Sequence, residues 1–272
     1  GAGSVATRVH ANRLGAEADL AGRDARGESA CLEPWIAGEP MSLSLLCELG
    51  QAELLSVNRQ RIETLPDGTL RYDGVEIMRA VSFIVRDKDW GTYNPVLSNL
   101  SVTETKDGFR VTYDATAGDA AHSFRYEAVI EGNSNGTLRF SGKGEAATDF
   151  LTNRTGFVVL HPIEGVAGEA VTIRHVDGRV VESTFPLVID PVQPMMDLRA
   201  LTHEAAPGLR VECLMEGDTF EMEDQRNWSD ASFKTYGRPL ALPWPFTLPA
   251  GEPVRQAVMV GVRPVPMAQT GS

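Results

Sequence analysis

Apolar residues recur at every second position through much of this chain. GFRVTYD (108–114) sets Phe109, Val111 and Tyr113 on one face. SFRYEAVIE (123–131) alternates Phe124, Tyr126, Ala128 and Ile130 with Ser123, Arg125, Glu127 and Val129, and TLRFSGKGE (137–145) continues with Leu138 and Phe140 opposite Arg139 and Ser141. A period of two is that of strands with one buried face. Tight-turn residues punctuate these runs: Pro66-Asp67-Gly68, Asp73-Gly74, Lys106-Asp107-Gly108, Asn133-Ser134-Asn135-Gly136, Asp177-Gly178, Pro207-Gly208 and Glu216-Gly217-Asp218. Several are spaced by about 8–12 residues, the rhythm of an antiparallel sandwich or barrel. Helical periodicity is weak beyond residue 60, and no repeat of solenoid length is present.

The pattern predicts an all-β fold, a large two-sheet antiparallel β-sandwich over residues 34–265. Residues 1–33 have few large apolar side chains and read as an arm, with a short helix through Ala11–Ala21 or an ordered segment packed on the body. Prolines 239, 243, 245 and 249 exclude a central strand there and favour an extended surface segment. A last strand over Arg255–Val262 closes the sheet, and 266–272 reads as a loose tail.

Composition narrows the functional classes. With 272 residues the chain can bury a full core. Its 25 Lys and Arg against 37 Asp and Glu, a net charge of −12, argue against nucleic-acid or anionic-membrane partners and leave room for a small ligand. Three scattered cysteines, Cys31, Cys47 and Cys213, make neither a disulfide framework nor a zinc site. No run reaches transmembrane length, so the expected location is cytoplasmic. Nothing selects a metal or another cofactor: there is no P-loop, G-x-G-x-x-G, G-x-S-x-G or H-E-x-x-H motif.

Candidate chemistry concentrates in FEMEDQRNWSDASFKTY (220–236), which mixes carboxylates, cations, amides and a Trp, a combination suited to a polyhydroxylated ligand. Alternation with Phe220 and Met222 places Glu221, Glu223 and Gln225 on one side. Asp224, Arg226, Asn227, Trp228, Asp230 and Lys234 follow as substrate-binding candidates. Three further clusters stand out. FIVRDKDWGTYNP holds Trp90 in a polar loop after an apolar strand, where it packs under the loop or stacks on a ligand. DFLTNRTGFVVLHP places Asn153 and Arg154 before an apolar strand and His161 at its end. MMDLRALTHE aligns Asp197, Arg199 and His203 if extended. A histidine near neutrality suits proton transfer, so His161 and His203 are candidate acid/base groups.

Together DWGTYNP, DFLTNRTGFVVLHP, PMMDLRALTHE and FEMEDQRNWSDASFKTY resemble the N-terminal β-domain of the D-apionate lactonase family, bacterial proteins of branched-sugar catabolism, from about Leu70 to Val262. The resemblance implies a longer family polypeptide with a barrel domain like that of glycoside hydrolases, so that this chain stops where the first domain would end. That β-domain is in turn similar to the sandwich of galactose mutarotase-like proteins, where a sheet face binds sugar and a Glu and a His exchange protons with it. The implied function is action on a sugar or sugar-acid lactone without metal, by lactone hydrolysis or mutarotase-like ring opening. Glu223 or Glu221, His161 or His203, and Arg154, Arg226 or Lys234 would supply the groups. The alternative is a non-catalytic carbohydrate-binding module, with Trp228 and Trp90 as stacking platforms and Asn153, Asn227 and Asp230 as hydroxyl partners, that docks a separate catalytic or homo-oligomeric partner. A third reading is a purely structural domain. Convergence of Glu223, His161, His203 and Arg154 on one pocket favours the enzyme; dispersal to opposite faces argues against it.

Overall fold

The structure is a computed structural model. It describes residues 69–119, 121–228 and 230–265 in full, together with the backbone of three preceding strands, β1 (Ser42–Glu48), β2 (Gln51–Asn58) and β3 (Ile62–Thr64). The arm expected over 1–33 and the tail over 266–272 lie outside the described residues.

The strands fall where the turn signals place them. β4 (Leu70–Tyr72) and β5 (Val75–Met78) form a small sheet with β3; β6 (Ala80–Arg86) leads to the meander β7 (Val96–Thr105), β8 (Gly108–Gly118), β9 (Ser123–Asn133) and β10 (Thr137–Ala146). β11 (Phe150–Thr152), β12 (Arg154–Pro162), β13 (Ala170–His175), β14 (Val180–Thr184), β15 (Met195–Ala206), β16 (Leu209–Glu216), β17 (Phe220–Asp224), β18 (Ser232–Gly237), β19 (Phe246–Leu248) and β20 (Val254–Pro264) complete the order. One 3-10 turn, Gln225–Trp228, is the only helical element among the described residues. The proline-rich stretch contributes β19 alone, a three-residue strand paired with β11.

The two predicted layers belong to one continuous antiparallel sheet, ordered β6-β12-β18-β17-β15-β16-β20-β10-β9-β8-β7, with β13 and β14 attached at β15. Its two halves close on each other. Phe83 of β6 meets Tyr126 of β9 with ring centroids 4.5 Å apart, and Phe157 of β12 meets Phe140 of β10 at 4.8 Å. The inward residues Phe83, Val85, Phe157, Val159, Phe220, Met222 and Phe233 join Phe124, Tyr126, Val258 and Val260 in one buried core. Burial of this apolar surface is the main stabilising term. Cys213 is fully buried within it, and burial pushes its thiol up to about 12, so it is chemically inert.

A kink in β12 ties the halves together. At Gly156, with φ +148, the strand makes room for Gln256 of β20, whose Oε1 accepts from Phe157 N at 2.9 Å and whose Nε2 donates to Thr155 O at 3.4 Å. A Cβ at position 156 would stand 2.2 Å from that Oε1. Gly156→Ala is therefore expected to cost about 1–3 kcal/mol, a fall in melting midpoint of roughly 2–12 °C by calorimetry. An unchanged midpoint would show that Gln256 is not clamped there.

Candidate functional site

Alternation along β6, β12, β18 and β17 leaves their other face to polar side chains. The register brings Arg86 opposite Arg154, Tyr236 opposite Val158, Glu221 opposite Tyr236, and Glu223 opposite Lys234. Four adjacent strands thus deliver Arg86, Arg154, Lys234, Tyr236, Glu221 and Glu223 to one patch. Glu223 is its centre: Oε2 pairs with Lys234 Nζ at 2.8 Å and Oε1 accepts from Trp228 Nε1 at 3.0 Å. Glu221 is already engaged, one oxygen accepting from Tyr236 Oη at 2.7 Å and Leu240 N at 2.9 Å.

Aromatic rings frame the charges. The Arg154 guanidinium lies 3.8 Å from the Tyr236 ring centroid and 5.4 Å from that of Trp90, which Arg86 approaches at 5.8 Å. Trp90 meets Trp244 edge-on at 5.4 Å. Trp228 and Trp244 are 70% and 52% exposed, so stacking surface is open at the rim. Trp90 sits at φ +70, a left-handed conformation costly for a bulky residue, and such outliers cluster at functional sites.

The loop holding Trp90 is over-determined. Asp87 Oδ1 accepts from Asp89 N at 2.8 Å and Gly91 N at 2.7 Å, Arg86 Nη1 donates to Trp90 O at 3.0 Å, and Asn153 Nδ2 donates to Lys88 O at 2.7 Å. Asn153 is thus a loop fastener, one amide N–H spent on backbone, while its Oδ1 is buried without a partner. Asn153→Ala is expected to loosen the Trp90 loop at a stability cost of about 0.5–1.5 kcal/mol, read by urea unfolding. An unchanged unfolding free energy would show that this bond does not hold the loop.

Charge is unevenly matched. Arg154 is only 4% exposed, yet its guanidinium makes no hydrogen bond to any described residue, and its Nε is buried without a partner, as is that of Arg86. Burial brings Arg154 down to about 10, with the neighbouring Arg86 charge acting in the same direction. Burial also opposes ionisation of Glu223, but the hydrogen bond and charge of Lys234, the Trp228 N–H and the Arg154 charge outweigh it and hold this carboxyl below the usual range. An ion pair ordinarily raises its lysine; burial, with Arg154 and Arg86 alongside, instead lowers Lys234. Three cations crowd one accessible carboxylate.

The other expected site residues lie elsewhere. His161 and His203 belong to the opposite, core-facing side: His161 continues the parity of Phe157 and Val159, is fully buried, and bonds Thr235 Oγ1 through Nε2 at 2.7 Å. His203 packs edge-on against Phe185, with both ring nitrogens unpartnered. Convergence of the two histidines with Glu223 and Arg154 does not occur, because period two turns position 161 away from position 154. A bulge between Met195 and Leu198, with Asp197 at φ +55, breaks the expected Asp197–Arg199–His203 row; Arg199 instead donates to Met215 O at 2.7 Å.

Asp224 faces away from Glu223 and forms a clasp. Its Oδ1 and Oδ2 accept from Arg226 Nε and Nη2 at 2.9 and 2.7 Å, and Oδ2 also accepts from Asp190 N at 3.1 Å. Arg226 then donates to Leu187 O and Pro186 O, and Asn227 to Asp190 O. This network fastens the 186–190 loop. Asp230 makes no side-chain bond to a described residue, and Gln225 has left the strand for the 3-10 turn. Arg86, Tyr236 and Trp244 were not among the expected site residues. Tyr236 follows Lys234 at strand spacing, which was the available signal.

A cleft of about 630 Å³ opens elsewhere, beside Glu169, Glu182, Glu204 and Arg210; none of the Glu223 cluster lines it. Among the described residues, no group of three or more His, Cys, Asp or Glu is placed to hold a metal ion. Nor is any of their helices long and apolar enough to cross a membrane.

The antiparallel sheet, folded over on itself, has a galactose mutarotase-like sandwich fold. The chain is similar to galactose 1-epimerase from Lactobacillus acidophilus NCFM at a TM-score of 0.50, with 8% identity, covering 83% of this chain and 100% of that one, a likeness of fold alone. Its family is closer to hand: the profile of the D-apionate lactonase N-terminal domain matches residues 55–265, and the chain belongs to that family. It is 54% identical over 202 residues to D-apionate lactonase of Brucella anthropi, covering 73% of this chain and 33% of the relative. The chain therefore spans about a third of the length of this curated relative. An ATP-grasp domain profile also matches residues 1–82, a stretch mostly outside the fully described residues and too small a part of the chain to assign a family.

Proposed function

We propose that the Glu223 face acts on a sugar-acid lactone, as the N-terminal domain of a lactonase related to the Brucella anthropi enzyme. The observation that carries this reading is Arg154: a buried guanidinium with unspent donors, 3.8 Å above Tyr236 and beside an ionised Glu223–Lys234 pair. Burying such a charge unpaired costs stability, so its retention points to a ligand that completes it.

The side chains suffice for hydrolysis without a metal. The Glu223 carboxylate takes a proton from water as the oxygen attacks the lactone carbonyl, and Arg154 and Lys234 offer N–H donors to the oxyanion. Collapse of that intermediate breaks the ring C–O bond, and Lys234, its ammonium made more acidic by burial, returns a proton to the departing alkoxide. Trp90, Trp228 and Trp244 provide apolar faces for the C–H surface of the sugar.

One observation favours a second reading, recognition without turnover: neither buried histidine reaches this face. A pH-indicator assay over a panel of aldonolactones, on this chain alone, separates the two. Acid release supports hydrolysis by this domain. Saturable binding without acid release supports a recognition domain whose catalytic groups lie on another chain or domain, and absence of both would overturn the assignment of the face.

A further inference from the structure

The arginine pair permits a narrower statement about the ligand. Arg86 and Arg154 are register partners on adjacent strands, both approach the ring of Trp90, and both keep a buried, unpartnered Nε. Among the described residues neither lies in an ion pair, whereas Lys234 next to them is paired with Glu223. The chain as a whole carries −12, so this cationic patch runs against the global charge. Two guanidiniums held by aromatic rings and short of acceptors demand a planar, negatively charged oxygen group.

We infer that Arg154 and Arg86 form a carboxylate subsite, which holds the acid group of an aldonate, the ring-opened form of a sugar lactone. This rests on the reading of the Glu223 face as a sugar site. The carboxylate oxygens accept from the free guanidinium N–H groups, while Trp90 and Tyr236 fix the planes of the two cations. Glu223 stands close enough for its charge to act on both arginines, so it repels the carboxylate and limits the affinity. The site thereby prefers acid to neutral sugar yet releases the acid.

Calorimetric titration of the chain with D-gluconate, with D-glucitol as the neutral polyol of equal carbon number, and with inorganic phosphate tests this. Gluconate is expected to bind about 10- to 100-fold more tightly than glucitol or phosphate, the advantage shrinking as salt rises. Arg154→Met should erase the advantage while the melting midpoint holds or rises, because an unpaired buried cation is replaced by an apolar chain of similar length. Glu223→Gln should tighten gluconate binding. If Arg154→Met does not fold, Arg86→Met, at a half-buried position, carries the same comparison. Equal affinity for gluconate and glucitol overturns the carboxylate subsite but leaves the sugar face standing. Phosphate binding as tightly as gluconate also overturns it, in favour of a general anion trap. Lactone hydrolysis without gluconate binding overturns the subsite alone, and neither binding nor hydrolysis overturns both readings.

Discussion

Glu223→Gln is expected to lower aldonolactone hydrolysis by about 10²–10⁴-fold, the usual contribution of one general base. The amide keeps the size of the side chain and can still accept from Lys234 or Trp228, but it cannot take a proton from water. The pH profile follows from the same contacts. Lys234, Trp228 and Arg154 hold the carboxyl below its ordinary range, so as long as the chain stays folded the rate should persist into mildly acid solution. Lys234→Met withdraws the largest of these stabilising contacts, and the acid limb should move to higher pH. Initial rates from pH 3 to 9 for the three proteins check this. A Glu223→Gln variant that retains full turnover would remove the carboxylate from the chemistry.

Acid should unfold this protein through its core histidines. Burial holds His161 down to about 3, with the charge of His203 adding to it, and burial alone holds His203 down to about 4, against about 6.5 in the unfolded chain. Between those values the unfolded chain binds protons that the folded one refuses, so stability falls as pH drops below about 6.5. Each histidine contributes a slope of about 1.4 kcal/mol per pH unit until its folded value is reached. His203, with Phe185 against its ring and no hydrogen-bond partner, can be replaced by Phe. His203→Phe should leave stability at pH 8 equal or higher and lower the slope between pH 6 and 4 by up to about 1.4 kcal/mol per pH unit, measured by urea unfolding at a series of pH values. A slope identical to that of the parent would mean that His203 is protonated in the native state.

The strands and turns were legible because their cause is local. Alternation in GFRVTYD and SFRYEAVIE and the Asp-Gly and Asn-Gly turns needed no tertiary context. The sharing of a face by Glu221 and Glu223 was equally local. What joined them was not, since Arg154 reaches Glu223 only through the β12-β18-β17 pairing. His161 marks the boundary between the two cases. The sequence RTGFVVLHP puts it out of phase with Arg154, but apolar residues occupy both faces of that strand and mask the alternation. Arg226 and Asn227 looked like ligand contacts because a charged stretch after a strand reads alike whether it meets sugar or backbone; their partners are carbonyls of a loop about 40 residues earlier in the sequence. That the two layers of the sandwich join into one continuous sheet depended on strand order, which periodicity does not encode.

Three of the four tryptophans in the chain, Trp90, Trp228 and Trp244, stand at the proposed site, and the indole N–H of Trp228 donates to Glu223 itself. Titrating the ¹⁵N-labelled chain with D-gluconate while following the indole N–H signals is therefore the most direct measurement. The account predicts saturable shifts of these three resonances, that of Trp228 moving as Glu223 exchanges its partner. Saturable binding that leaves all three in place would put the ligand elsewhere on the sheet and contradict the assignment of the Glu223 face.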